Sequence, residues 1–259
     1  MPSYVRPVGP DQVFRDRAGA VIHYGSRWDG SGPPTDTYSV VSHAERFAPL
    51  HLVADALIEH LAETYDVQVS QDASHADDFL RHPDLERVTR LSPNDSAAAP
   101  LTFGFTTYPG LILHAGLLHD FAYPICGSDA CDETATNQVE HLEGHVSAVV
   151  TGRYRESYTP GAELPLEFAL RFDDGGQAGS TTTDGYPAGL LANRRSATSR
   201  IAGWVGPLAP DAVIHAGRAR ETPRPVSYPG HSVQDLRRPG PADLHSGTLA
   251  PLANPVTDG

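Results

Sequence analysis

Between Leu91 and Gly152 the sequence has no arginine, yet it holds seven carboxylates, four histidines and both cysteines of the chain. The carboxylates are Asp95, Asp120, Asp129, Asp132, Glu133, Glu140 and Glu143; the histidines are His114, His119, His141 and His145. Inside this stretch lies the octet Cys126-Gly-Ser-Asp-Ala-Cys-Asp-Glu133. Thiol and imidazole ligands in a negative potential suit a divalent cation, with zinc the first candidate. Cys126-x4-Cys131 followed by His141-x3-His145 outlines a Cys2His2 pattern, but nine residues separate Cys131 from His141, where about twelve are usual. With a helix starting at Asp132, Cys131 and His141 stand about 15 Å apart along its axis. One zinc, with bonds of about 2 Å, cannot bridge that gap.

Three other readings of the thiols stay open. Cys126 and Cys131 bind a metal with His114, His119 or a carboxylate; they form a short-loop disulfide or redox pair; or they are plain buried thiols in a turn. A helix N-terminus lowers a thiol pKa, but Asp129, Asp132 and Glu133 oppose that here, which disfavours a reactive nucleophile. His141-Leu-Glu-Gly-His145 is not the metalloprotease motif, because its Glu falls one position late and a Gly interrupts it. There is no nucleophile elbow, phosphate loop or dinucleotide fingerprint. Gly230-His231-Ser232 is half an elbow at most, and Asp77-Asp78 and Asp173-Asp174 read as surface turns.

Two helices and a few strands must position these groups. Ser42-x-x-Glu45 has the capping-box pattern, and Pro49 fits the first turn of a helix. Leu50, Val53, Leu57, Leu61 and Tyr65 then follow helical spacing. Its opposite face carries His51, Asp55, Glu59 and Glu63, read as solvated or, alternatively, as a cation ladder. Glu86–Leu91 reads as a strand. Residues 100–107 and 110–117 alternate and frame Tyr108-Pro109-Gly110, a type II turn signal, so they form a hairpin with His114 on a strand. A second helix is expected from Asp132, as N-cap, to Val150, with Ala135, Val139, Leu142, Val146 and Val149 on one face. Residues 153–158 read as a strand; Leu166–Phe172 and Gln177–Thr183 pair across an Asp174-Gly175 turn. The expected fold is α+β, two main helices packed on a small antiparallel sheet of about five strands.

Five prolines fall in residues 1–34 and nine in 207–255. The expected organisation is an irregular segment over 1–38, one α+β domain over 39–200 and a mostly disordered Pro/Gly-rich tail over 201–259. The chain has 259 residues, 19 of them Arg and none Lys, against 32 Asp and Glu, giving a net charge of −13. That balance argues against nucleic-acid binding. Without an apolar run of 18 residues or an apolar leader, neither a membrane span nor secretion is expected, so a cytoplasmic location is.

Phe105-Thr-Thr-Tyr-Pro-Gly-Leu-Ile-Leu-His-Ala-Gly116 followed by Cys126-Gly-Ser-Asp-Ala-Cys-Asp-Glu133 resembles an uncharacterised bacterial domain-of-unknown-function family, over roughly residues 40–175. That family often places a third Cys where this chain has Ser128, and three thiols would suit metal better than two. The resemblance implies no activity, substrate or cofactor. Two functions are therefore carried forward. One is a non-enzymatic protein with a Cys-containing structural knuckle, binding a protein partner through its sheet face or acidic first helix. The other is a metal-dependent enzyme using Cys126, Cys131, His114 or His119, with Asp120 or Glu133 as base.

Overall fold

Two short strands near the N-terminus, β1 (Phe14–Arg15) and β2 (Val21–Ile22), pair antiparallel. This is a computed structural model, and it describes residues 4–205 except 29, 31, 81–82, 117, 174, 184–196 and 201–202, with backbone alone at 197–200. The tail expected over 201–259 lies outside the described residues apart from Gly203–Val205.

Helix α1 (Pro49–Thr64) starts at the expected proline and buries Leu50, Val53, Ala54, Leu57 and Leu61. The capping box before it does not form. Ser42 gives its N–H to Asp129, and Glu45 pairs with His43 instead. Residues Ala44–Phe47 make a tight 3-10 turn with His43 left-handed ahead of it.

A five-stranded antiparallel meander follows, β3 (Val67–Ser70), β4 (Leu85–Pro93), β5 (Leu101–Thr106), β6 (Leu111–Ala115) and β7 (His119–Tyr123). The β5–β6 hairpin matches the sequence expectation, but its turn does not. Gly110 has no positive φ; a Cβ there would lie 2.7 Å from the Tyr123 carbonyl, so close packing demands the glycine. Every residue of β5 is buried. Leu101, Phe103 and Phe105 face the helices, and each phenylalanine so buried contributes about 1.5–3 kcal/mol. The other face is covered by Asp72–Leu80, whose middle is a 3-10 turn at Ala73–Asp78. Asp78 bonds Arg90 and Thr102 there, so Asp77-Asp78 is more than a surface turn.

Helix α2 (Ala135–Val150) starts three residues later than Asp132. Thr134 is the N-cap and accepts from the Asn137 N–H at 3.2 Å. Asp132 is left-handed, with φ 51°, and its carboxylate takes the Arg27 N–H instead. A second sheet is formed by β8 (Tyr154–Tyr158), β9 (Leu166–Arg171), β10 (Gly176–Thr181) and β11 (Ala197–Arg200), ordered β10-β9-β8-β11. The fold class is α+β, as expected, but the described residues form three small antiparallel sheets in place of one. The core continues past residue 200: Trp204 is buried, donates to the Ala99 carbonyl and stacks edge-on against Tyr65. No described helix is long and apolar enough to cross a membrane.

Candidate functional site: the 126–133 knuckle and its neighbours

The octet Cys126–Glu133 runs from the end of β7 to the cap of α2. Asp129 is 4% exposed and faces the N-terminal segment. Its N–H bonds the Val40 carbonyl, its carboxylate takes the Ser42 N–H and pairs with Arg27, and its carbonyl takes the Trp28 indole N–H. Ala130 adds a bond to the Thr37 carbonyl. Arg46, 3% exposed, completes the clasp. Its guanidinium donates to the carbonyls of Gly127, Glu133, His43 and Ser42 and lies over the rings of Tyr24 and Phe47 at 4.3 Å. A planar five-donor cation can serve four carbonyls at once, one more than the three donors of lysine allow.

The two thiols are free and near one another. Ser128 Oγ lies 3.1 Å from Cys126 Sγ and 3.5 Å from Cys131 Sγ. Burial, with help from a hydrogen bond to Cys126, pushes the Cys131 thiol up to about 11. It is therefore almost wholly protonated at neutral pH and exchanges only through its small thiolate fraction. Burial also pushes the Glu133 carboxyl up to about 7, against the pull of the Cys126 N–H and the Arg46 charge. Tyr108 closes the turn from above; a Cβ on Gly127 would meet its hydroxyl at 2.4 Å. Burial pushes that phenol up to about 12. Tyr108 Oη, Asp132 Oδ1 and Arg27 Nη1 are buried with no hydrogen-bond partner among the described residues.

The histidines expected to join the thiols lie elsewhere. His114 is on the outer face of the sheet, with Nδ1 2.6 Å from Asp120 Oδ1. His119 is on the inner face of β7, stacked on Phe168 and Phe121 at 3.9 and 4.3 Å. The alternation of strand side chains thus places the two on opposite sides of one sheet. His119 is four residues along β7 from Tyr123, about 13 Å of strand from the end that leads into the knuckle. His145 turns inward to the Tyr123 hydroxyl and Gln177, while His141 stays exposed. On α1, His51 bonds the Gly110 carbonyl and Asp55 pairs with Arg87, so the alternative cation-ladder reading of that face finds its members engaged separately. Among the described residues no three His, Cys, Asp or Glu side chains form a group that could hold a metal.

A polar row that sequence reading missed crosses the outer face of the meander. Ser70, Arg90, Thr102, His114 and Asp120 stand in register, one on each strand. Asp78 binds Arg90 through both oxygens and accepts from Thr102; Asp120 also takes the Leu80 N–H. Arg46 and Arg27 were missed as well, because nothing in their local spacing links them to residues about a hundred positions away.

Beside the knuckle is a cleft of about 500 Å³. It is bounded by the N-terminal segment around Arg6, by Tyr24 and Arg46, and by the first turns of α1 at Pro49 and α2 at Thr134. Arg46 reaches both cleft and knuckle. No curated protein and no solved structure matches the chain. Residues 10–207, about three-quarters of the chain, match a family of unknown function (DUF6226), and the chain belongs to that family, as its resemblance to an uncharacterised domain led us to expect.

Proposed function

We propose that the chain is a non-enzymatic binding domain that takes an extended, arginine-bearing segment of a protein partner, with the knuckle as its structural clasp. The observation that carries this is the chain's own arm, Tyr4–Pro10, seated on α2. Tyr4 Oη donates to Glu143 at 2.7 Å, Arg6 reaches both Glu143 oxygens, and Glu140 lies 4.0 Å from Arg6. Tyr4 also packs against His60 of α1. A surface that holds one aromatic-x-Arg-Pro segment has the shape and charge for another, and a net charge of −13 draws basic partners to it. Of the surfaces expected beforehand, the outer sheet face is covered by Asp72–Leu80. The acidic face of α1 stays open, with Leu52 49% exposed. The polar groups of the knuckle are engaged in holding backbone, which leaves it little for catalysis. The metal-enzyme alternative finds no ligand group among the described residues.

The test is a labelled peptide of residues 4–10 added to the full chain, with binding read by fluorescence anisotropy. Arg6→Glu, which expels the arm, should raise peptide affinity at least tenfold over the unaltered chain. Glu143→Arg should abolish binding. No binding to the Arg6→Glu chain would overturn the reading.

A further inference from the structure

The binding reading makes no use of the two thiols. Cys131 is exposed and Cys126 half-buried. One hydroxyl, Ser128 Oγ, touches both sulfurs, so they lie no further apart than those two contacts together. The loop between them is already turned, with the Cys131 N–H on the Ser128 carbonyl at 3.2 Å. Side chains converging across a preformed turn are what a disulfide requires, whereas thiols pointing apart would need backbone movement.

We propose that Cys126 and Cys131 are a modification site, a reversible dithiol–disulfide pair that reacts with small-molecule disulfides of the glutathione class and sets how firmly the knuckle holds the segment 27–42. The exposed Cys131 sulfur attacks one sulfur of glutathione disulfide and expels one glutathione thiolate, which takes up the Cys131 proton. Cys126 sulfur then attacks Cys131 sulfur, expels the second glutathione thiolate and passes its proton to it. Two protein thiols are oxidised by two electrons, and one glutathione disulfide is reduced to two glutathiones. A thiol held protonated does little to stabilise the reduced state through its thiolate, so the disulfide, once made, is not a strong oxidant. Closing it withdraws both sulfurs from Ser128, the residue next to Asp129. Asp129 holds Trp28, Arg27, Val40 and Ser42.

The full chain should be equilibrated in glutathione buffers of increasing oxidation, quenched by alkylation and weighed by mass spectrometry. The expected product has lost two hydrogens, has no alkylatable thiol, and reverts with reduced glutathione. Cys126→Ser should stop at a mixed disulfide on Cys131. Tryptophan emission should shift on oxidation, and Trp28→Phe should remove that shift. Free thiols or only mixed disulfides in the unaltered chain would overturn the site. A disulfide with no Trp28-dependent shift would overturn its effect on segment 27–42.

Discussion

At the knuckle, buried charge is met by backbone. Arg46 donates to four carbonyls and Asp129 takes the Ser42 N–H, with Arg27 as its one ion-pair partner. On the outer face of the meander, charge is met by side chains: Arg90 by Asp78, Asp78 by Thr102, His114 by Asp120. The first arrangement ties together pieces of chain distant in sequence and leaves Tyr108 Oη and Asp132 Oδ1 buried without a hydrogen-bond partner among the described residues. The second pins one covering segment to a sheet that exists without it. Removing a group from the first therefore disturbs several chain segments, while removing one from the second loosens a local cover.

That contrast can be broken by measurement. Asp129→Ala should cost about 4 kcal/mol in urea unfolding, because it strips a buried Ser42 N–H and a nearly buried Arg27 of their partner. A loss under about 1 kcal/mol would erase the distinction. Next comes acid. His145 is buried and His119 is half-buried against Phe121 and Phe168, and burial pushes His119 down to about 3 and His145 to about 4. Unfolded, both titrate near 6.5. Below that pH the unfolded chain binds protons that the folded chain refuses. Stability is thus full above about pH 6.5 and falls on acidification, by up to about 1.4 kcal/mol per pH unit for each histidine. His119→Phe should remove about 2 kcal/mol of the loss between pH 7 and pH 5, followed by thermal melts across that range.

Asp78→Asn tests the other region. Its side chain is 22% exposed, so the expected cost is about 1–2 kcal/mol, well below that of Asp129. A cost equal to that of Asp129→Ala would make the cover as integral as the clasp. A second pH effect is at Glu133, whose carboxyl is held near 7 by burial. Its sign is the reverse of the histidines: the proton is bound more tightly in the folded chain, so its contribution is present below about pH 4.5 and is lost as pH rises through 7. Glu133→Gln should flatten that decline in melting temperature; a steeper decline would refute the assignment.

Much of this was legible in the sequence because it is local. Pro49 and the spacing of Leu50, Val53, Leu57 and Leu61 mark α1, and alternation marks the β5–β6 hairpin. The octet stood out because its unusual residues are contiguous. The polar row was not legible, since its members come one from each strand and meet only when register is set. β3 was missed because it is short and mostly exposed, and β7 because it is short and opens on two polar residues, His119 and Asp120. The start of α2 was misplaced because Asp132, a good cap by type, is held left-handed by a tertiary bond to Arg27. Tertiary partners overrode local preference in the same way at Ser42.

The bonds from Trp28, Arg27 and Ser42 to the knuckle span 101, 105 and 87 residues. On the ribosome the first forty residues therefore emerge without their anchor and must wait until about half the chain is made. Contacts this distant in sequence close late, because the loop entropy must be overcome first. The N-terminal segment thus settles only after the knuckle has been made, and until then it is open to chaperones and proteases.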